Sequence, residues 1–184
     1  MTLTNIEQKL IKCFDRPSIR IRIPRLEMNK GKFPLIPNWP TVYEPWTIAQ
    51  ILANGHNWGI RTGKQIGSYH FIIIDLDNLW SQQIIKTSSF IQTSKGIHYY
   101  VLIKELPKSQ HLFNKFGQKI GDLLSLGKQG IGIGSQHRSG IRYSFKQKRH
   151  NSPWFVKLEN LLELESFLKV REIFTMKNKN FFIE

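Results

Sequence analysis

The sequence predicts an α+β fold, a mostly antiparallel mixed sheet with flanking helices, and three observations lead there. Apolar residues recur at helical spacing only in short stretches, chiefly 3–14, 46–53 and 154–170. Strand-like segments recur between them, at 19–23, 71–77, 97–103, 118–124 and 141–145, separated by glycine- and proline-bearing turns. No internal repeat or low-complexity linker interrupts the 184 residues, so one domain over 1–184 is expected, with its core at about 19–150.

In chain order, Leu3, Ile6, Leu10, Ile11 and Phe14 mark an amphipathic helix over 3–14 that Pro17 stops, with Cys13 packing on its apolar side. Ile19, Ile21 and Ile23 alternate with Arg20 and Arg22, a strand with a basic outer face. Residues 29–45 carry too many prolines for a helix or a central strand and predict an ordered loop pinned by Trp39. A helix over 46–53 ends before Gly55, and Asn57 to Gly63 reads as a strand entering a turn whose N–H groups can approach a phosphate or a base. An ordinary β-turn is the more common meaning of such a signal.

Phe71 to Asp77 reads as a strand that buries Ile72, Ile74 and Leu76 on one side and delivers two carboxylates at its C-terminal end on the other. Residues 79–86 predict a brief helix, and residues 88–103 a hairpin about Ser94-Lys95-Gly96, with His98, Tyr100 and Leu102 on one face of its second strand. Residues 107–116 read as a polar excursion, 118–124 as a strand, and 127–134 as a glycine-rich segment. A turn at 135–140 precedes the strand 141–145, a basic patch covers 146–150, and a leucine-bearing helix spans 154–170. The tail, 177–184, is expected to fray or serve as an interface.

Lysine and arginine number 27 against 13 acids, a net charge of +14, which favours a polyanionic partner, nucleic acid before a membrane surface. No apolar run approaches the roughly 20 residues of a membrane span, and polar residues stand where a signal peptide would have its apolar core. A cytoplasmic, intracellular protein with no membrane partner is expected. A single cysteine excludes an intrachain disulfide and a cysteine-rich zinc ribbon.

The chemistry centres on acids. Asp75 and Asp77 stand two residues apart and so share one face of the strand, with Ile72, Ile74 and Leu76 on the other. Two carboxylates so close repel unless a cation lies between them, and oxygen ligands suit Mg²⁺ or Mn²⁺. The competing reading is an Asp-x-Asp turn capping the next helix. Asp122, mid-strand among apolar residues, needs a partner: it is either a third metal ligand or a structural acid bonded to Lys128 or a backbone amide. His98 follows the donor-rich turn Ser94-Lys95-Gly96, an arrangement suited to a triphosphate, although a lone strand histidine is more often a core residue. Ser135 and His137 either hold phosphates or define a turn. Trp39, Trp46 and Trp58 could stack bases or fill the core.

Taken in order, Asn57-Trp58-Gly59-Ile60-Arg61-Thr62-Gly63, Ile74-Asp75-Leu76-Asp77, Thr93-Ser94-Lys95-Gly96-Ile97-His98, Ile120-Gly121-Asp122 and Gly134-Ser135-Gln136-His137-Arg138-Ser139-Gly140-Ile141-Arg142-Tyr143 resemble the bifunctional primase-polymerase domain. These are archaeo-eukaryotic-type primases of plasmids, viruses and other mobile elements. The similarity spans about residues 25–150 and lies in the order of the motifs. It implies an archaeo-eukaryotic primase-like (RRM-like) core and a template-dependent nucleotidyltransferase, a DNA primase or polymerase. Asp75, Asp77 and Asp122 would hold two divalent metals, Mg²⁺ or Mn²⁺, and His98, Ser94 and Lys95 would meet the incoming triphosphate. Ser135, His137, Arg61 and Gly63 would line the nucleotide pocket. The expected partners are single-stranded DNA template and primer, nucleoside triphosphates, and a separate helicase or initiator. Arg20, Arg22, Lys146, Lys148 and Arg149 are the expected phosphate contacts to the template. Two alternatives stand beside this: a non-catalytic single-strand-binding or replication-initiator module, and a two-metal nuclease.

Overall fold

A computed structural model describes residues 3–24, 34–77, 89–147 and 152–176. The helix expected at 79–86, the tail 177–184, Lys148 and Arg149 lie outside the described residues.

The helix α1 spans Asn5–Phe14 and opens with a capping box, in which Thr4 accepts from Glu7 N and Glu7 accepts from Thr4 N. The strand β1 (Arg20–Ile23), α2 (Ile48–Ala53), β2 (Asn57–Arg61), β3 (Gln65–Ile66) and β4 (Tyr69–Leu76) follow. The chain continues with β5 (Phe90–Gln92), β6 (Ile97–Ile103), β7 (Gln110–Phe113), β8 (Lys119–Leu124), β9 (Gln129–Ile131) and β10 (Ser144–Lys146). Last come β11 (Val156–Leu158), a helix α3 (Leu161–Lys169) and β12 (Phe174–Thr175).

Among the described residues these strands form two sheets. The smaller runs β1-β2-β9, and the larger runs β10-β5-β6-β4-β8-β7-β12, with β11 added beside β6 and β3 beside β4. Every pairing is antiparallel except β11 with β6. The expected α+β, mostly antiparallel class is therefore what the chain adopts.

The large sheet is covered on both faces. Ile72, Ile74 and Leu76 of β4 join Tyr99, Val101, Leu123, Leu164 and Leu168 in one core, beneath α3. Phe71 and Ile73, on the opposite face, join Phe14, Ile21, Trp58, Ile60 and Tyr100 in a second core between the sheets. β4 is thus a central strand buried on both sides, and that explains its nearly unbroken apolar run. Phe14 meets Phe71 edge-on at a centroid separation of 4.9 Å, which seats α1 directly on the large sheet. Glu7, 2% exposed, closes the same junction by accepting from Phe145 N at 3.1 Å and pairing with Arg142 Nη2 at 2.5 Å.

Three expectations change. The excursion at 107–116 contains β7, whose register places His111 opposite Asp122. The glycine-rich segment contains β9, where Gly130 lets the small sheet settle onto Ile73: a Cβ there would lie 2.4 Å from Ile73 Cδ1. The helix expected over 154–170 is two elements. Val156–Leu158 pairs with β6 in parallel, and Asn160, whose side chain accepts from Glu163 N, caps a shorter helix.

Candidate functional site

The site forms where four strands of the large sheet carry polar residues at one level. Asp75 of β4 is the register partner of His98 on β6 and of Asp122 on β8, and Asp122 is in turn the partner of His111 on β7. Residues directly opposed on neighbouring strands project from the same face, so the four side chains make a row across the sheet. His98 Nε2 lies 3.2 Å from Asp75 Oδ1. Asp122 binds His111 Nδ1 through Oδ1 at 2.5 Å and Lys119 Nζ through Oδ2 at 3.1 Å. The partner of Asp122 is thus His111 with Lys119, where the sequence suggested Lys128 or a backbone amide.

His98 is 4% exposed, and its Nδ1 has no hydrogen-bond partner among the described residues. Its ring lies 5.8 Å from that of Tyr143, which is buried as well. Burial, and after it the charge of Asp75, pushes the Tyr143 phenol well above its ordinary range. Asp75 and Asp122 are half-buried, and Asp77, one residue beyond β4, is exposed, with its N–H donating to Ile120 O at 2.9 Å.

Two glycines fix the neighbours of the acidic strand at close range. A Cβ on Gly121 would sit 2.0 Å from Asp75 O, and one on Gly96 1.7 Å from Leu76 O. The Ser94-Lys95-Gly96 turn therefore rests against the backbone of Leu76 and Asp77. Thr93 shapes that turn, its Oγ1 accepting from Gly96 N at 2.9 Å and Lys95 N at 3.4 Å. Lys95 is exposed and Ser94 half-buried. Asp75, Asp77, Asp122, His98, Ser94 and Lys95 are in this way brought to one end of β4.

Other expected site residues are occupied in holding the fold. Arg61, 2% exposed, donates from Nη1 to Pro17 O at 2.9 Å and from Nη2 to Val42 O, and burial lowers its pKa. Gly63, at φ +79°, donates to Phe71 O at 2.7 Å. Phe71 is four residues before Asp75 on an extended strand, so this turn lies about 13 Å from the acidic row. The turn stands toward the opposite end of β4 from Asp75. Ser135 is fully buried, its hydroxyl bonded to Trp58 N and Trp58 O, each at 3.1 Å. His137 Nδ1 contacts Ser139 Oγ at 2.9 Å. Their hairpin reaches the acidic row through Tyr143, whose N–H donates to Ser135 O at 2.9 Å.

The expected basic outer face of β1 is roofed over. Arg20 is 4% exposed, donating to Trp46 O at 2.5 Å and Glu44 O at 3.2 Å and pairing with Asp15 at 3.0 Å. Arg22 stacks on the Trp46 ring at 4.2 Å and lies 3.9 Å from the fully buried Glu44. A buried guanidinium requires such acceptors, so Arg20 anchors residues 44–46, with Arg22 half-buried beside it. Lys146 is exposed on β10. His111, Lys119 and Tyr143 escaped sequence reasoning; the Thr93-x-x-Gly96 spacing was the one local signal for how the turn is held.

For Mg²⁺ or Mn²⁺ the donor chemistry fits, since Asp75, Asp77 and Asp122 offer only carboxylate oxygens. Among the described residues, no group of three or more histidine, cysteine or acidic side chains is gathered closely enough to hold a metal ion. Asp75 and Asp122 are the facing pair, and Asp77 lies at the strand's exposed end. Among the described residues no helix is long and apolar enough to cross a membrane. No protein-family model matches this chain, and a search of curated proteins finds no match.

Proposed function

We propose that the chain is a template-dependent nucleotidyltransferase of the primase-polymerase kind, built on the primase-like core that its motif order resembles. The observation that carries this reading is the row His98–Asp75–Asp122 at the end of β4, with the Ser94–Gly96 turn against Asp77. Two carboxylates directly opposed across a ladder repel each other, and a cation between them relieves the repulsion. Asp75, Asp77 and Asp122 would hold Mg²⁺ or Mn²⁺, which when bound supplies Lewis-acid stabilisation of a triphosphate and a lowered pKa at a primer 3′-hydroxyl. His98 has an Nδ1 without a hydrogen-bond partner among the described residues, and burial without a hydrogen bond is costly, so a polar ligand able to pair with it would be favoured there. Lys95 adds an exposed ammonium at the turn that Thr93 shapes. The substrates are nucleoside triphosphates and a primed single-stranded DNA template, and the net charge of +14 supports a polyanionic partner.

One observation favours the non-catalytic single-strand-binding reading: the two facing acids already have partners in His98, His111 and Lys119. Primer extension with Mg²⁺ or Mn²⁺ separates the two. The transferase extends a labelled primer, and the Asp75→Asn/Asp77→Asn protein does not; a wild type that binds DNA and extends nothing is the binding module.

A further inference from the structure

At the opposite end of β4 from the acids, two tight turns enclose a cleft of about 170 Å³, lined by Trp39, Pro40, Thr62, Lys64, Leu126 and Lys128 with Arg61 beneath. Its walls are locked together. Thr62 N donates to Lys128 O at 3.0 Å, the Thr62 hydroxyl donates to Ser125 O, and Lys128 N donates to Ser125 O at 3.2 Å. Gly63 permits the contact, because a Cβ there would stand 2.5 Å from Leu126 Cα. The side of the cleft built by residues 62–64 and 125–128 is preformed.

The lining combines an indole, two apolar side chains and two ammonium groups. Among the described residues, neither Lys64 nor Lys128 has a carboxylate at ion-pair distance. Trp58 is fully buried and Trp46 lies under Arg22, whereas Trp39, half-buried against the core, lines the cleft. The volume is below the roughly 300–1,000 Å³ usual for a small-molecule site and accommodates one flat base. A base in a duplex is stacked and cannot enter, so the occupant is unpaired.

We propose that this cleft holds one base of a single-stranded nucleic acid against Trp39, with the flanking phosphates on Lys64 and Lys128. The inference rests on reading the protein as one that binds nucleic acid, and does not depend on catalysis at the acidic row. It replaces Arg20, which the fold consumes, as the place where the strand is gripped.

The test uses the full chain and an oligothymidylate carrying 5-bromodeoxyuridine. Ultraviolet cross-linking followed by peptide mapping is expected to place the adduct on Trp39 or its immediate neighbours. In fluorescence anisotropy, Trp39→Ala weakens binding about tenfold while Trp39→Phe, which keeps a stacking ring, stays near wild type. Lys64→Gln/Lys128→Gln lowers the slope of log affinity against log salt by about 1.4, two phosphate contacts at about 0.7 each for single strands. Adducts mapping wholly elsewhere, or salt slopes that coincide, overturn the cleft and leave the transferase reading standing. Protection of Trp39 by thymidine monophosphate at concentrations equal to the oligonucleotide overturns it too, in favour of a mononucleotide site. Absence of any oligonucleotide binding by wild type overturns both readings.

Discussion

Asp75 and Asp122 face each other directly across the β4–β8 ladder, and each leans on its own imidazole, His98 for the first and His111 for the second. Like charges at opposed positions cost stability unless something of opposite sign is near. If the row holds divalent metal, Asp75→Asn or Asp122→Asn reduces primer extension by at least about 100-fold while the fold survives, a loss of roughly 3 kcal/mol of transition-state stabilisation. Extension rates, read beside circular dichroism melts of the same proteins, check this. Extension near wild type in Asp75→Asn removes the acid from the mechanism.

Gly121 and Gly96 admit no side chain. Either Gly121→Ala or Gly96→Ala drives a methyl group into the carbonyl of Asp75 or Leu76, and overpacking of this kind costs about 1–3 kcal/mol or more. Urea denaturation is expected to show a lower midpoint with an unchanged slope. The exposed Gly140, whose Cβ would meet nothing within 4 Å, gives a control only in part, since its φ of +83° strains alanine as well.

Glu7 makes stability depend on pH in a defined direction. Its burial raises the carboxyl's pKa, but hydrogen bonds from Thr4 N, the Arg142 guanidinium and Phe145 N outweigh it, and the net shift is downward from 4.5. A carboxyl depressed in the folded state stabilises above its unfolded value and loses that contribution as pH falls through the folded one. Glu7→Gln is therefore expected to cost roughly 2 kcal/mol at pH 7, the difference shrinking as pH drops below about 4.5. Parallel urea curves at pH 7 and pH 3.5 measure it; a gap that widens in acid contradicts the assignment.

Arg20 and Arg61 are expected to behave as structural residues. Arg61→Ala leaves Pro17 O and Val42 O without their donor and lowers stability by about 3 kcal/mol, and Arg61→Lys, lacking the fork, rescues little. The salt slope of DNA binding by the folded fraction stays that of wild type. A slope that falls by one phosphate's worth would place Arg61 on the nucleic acid.

Much of this arrangement was legible in the chain, for physical reasons particular to each element. The run Ile72-Ile73-Ile74-Asp75 announces a strand because β-branched residues fit a pleated sheet, and period-two spacing correctly divides Tyr99 and Val101 from His98 and Tyr100. The same period identifies β1 but misplaces its arginines, because the roof over Arg20 comes from Trp46 and Glu44, 26 and 24 residues along the chain. No local pattern reports that. β9 was hidden for a different reason: Gly130 looks like a loop residue yet is a strand position, and at Gly130 and at Gly132 just beyond the strand Ile73 and the Trp58 ring leave no room for a Cβ. The pairing of Asp122 with His111 depends on the register of β7, which depends on the whole sheet.

The seal between α1 and β10 also orders events during synthesis. The helix cap at Thr4 and Glu7 can form as soon as those residues emerge, but the remaining ligands of Glu7 are supplied by Arg142 and Phe145. An amphipathic helix this short is marginal alone in water. On the ribosome Glu7 must wait for these partners, which lie 135 and 138 residues further along the chain. The chain therefore folds late and largely at once, and the nascent helix is a surface that a chaperone has time to meet.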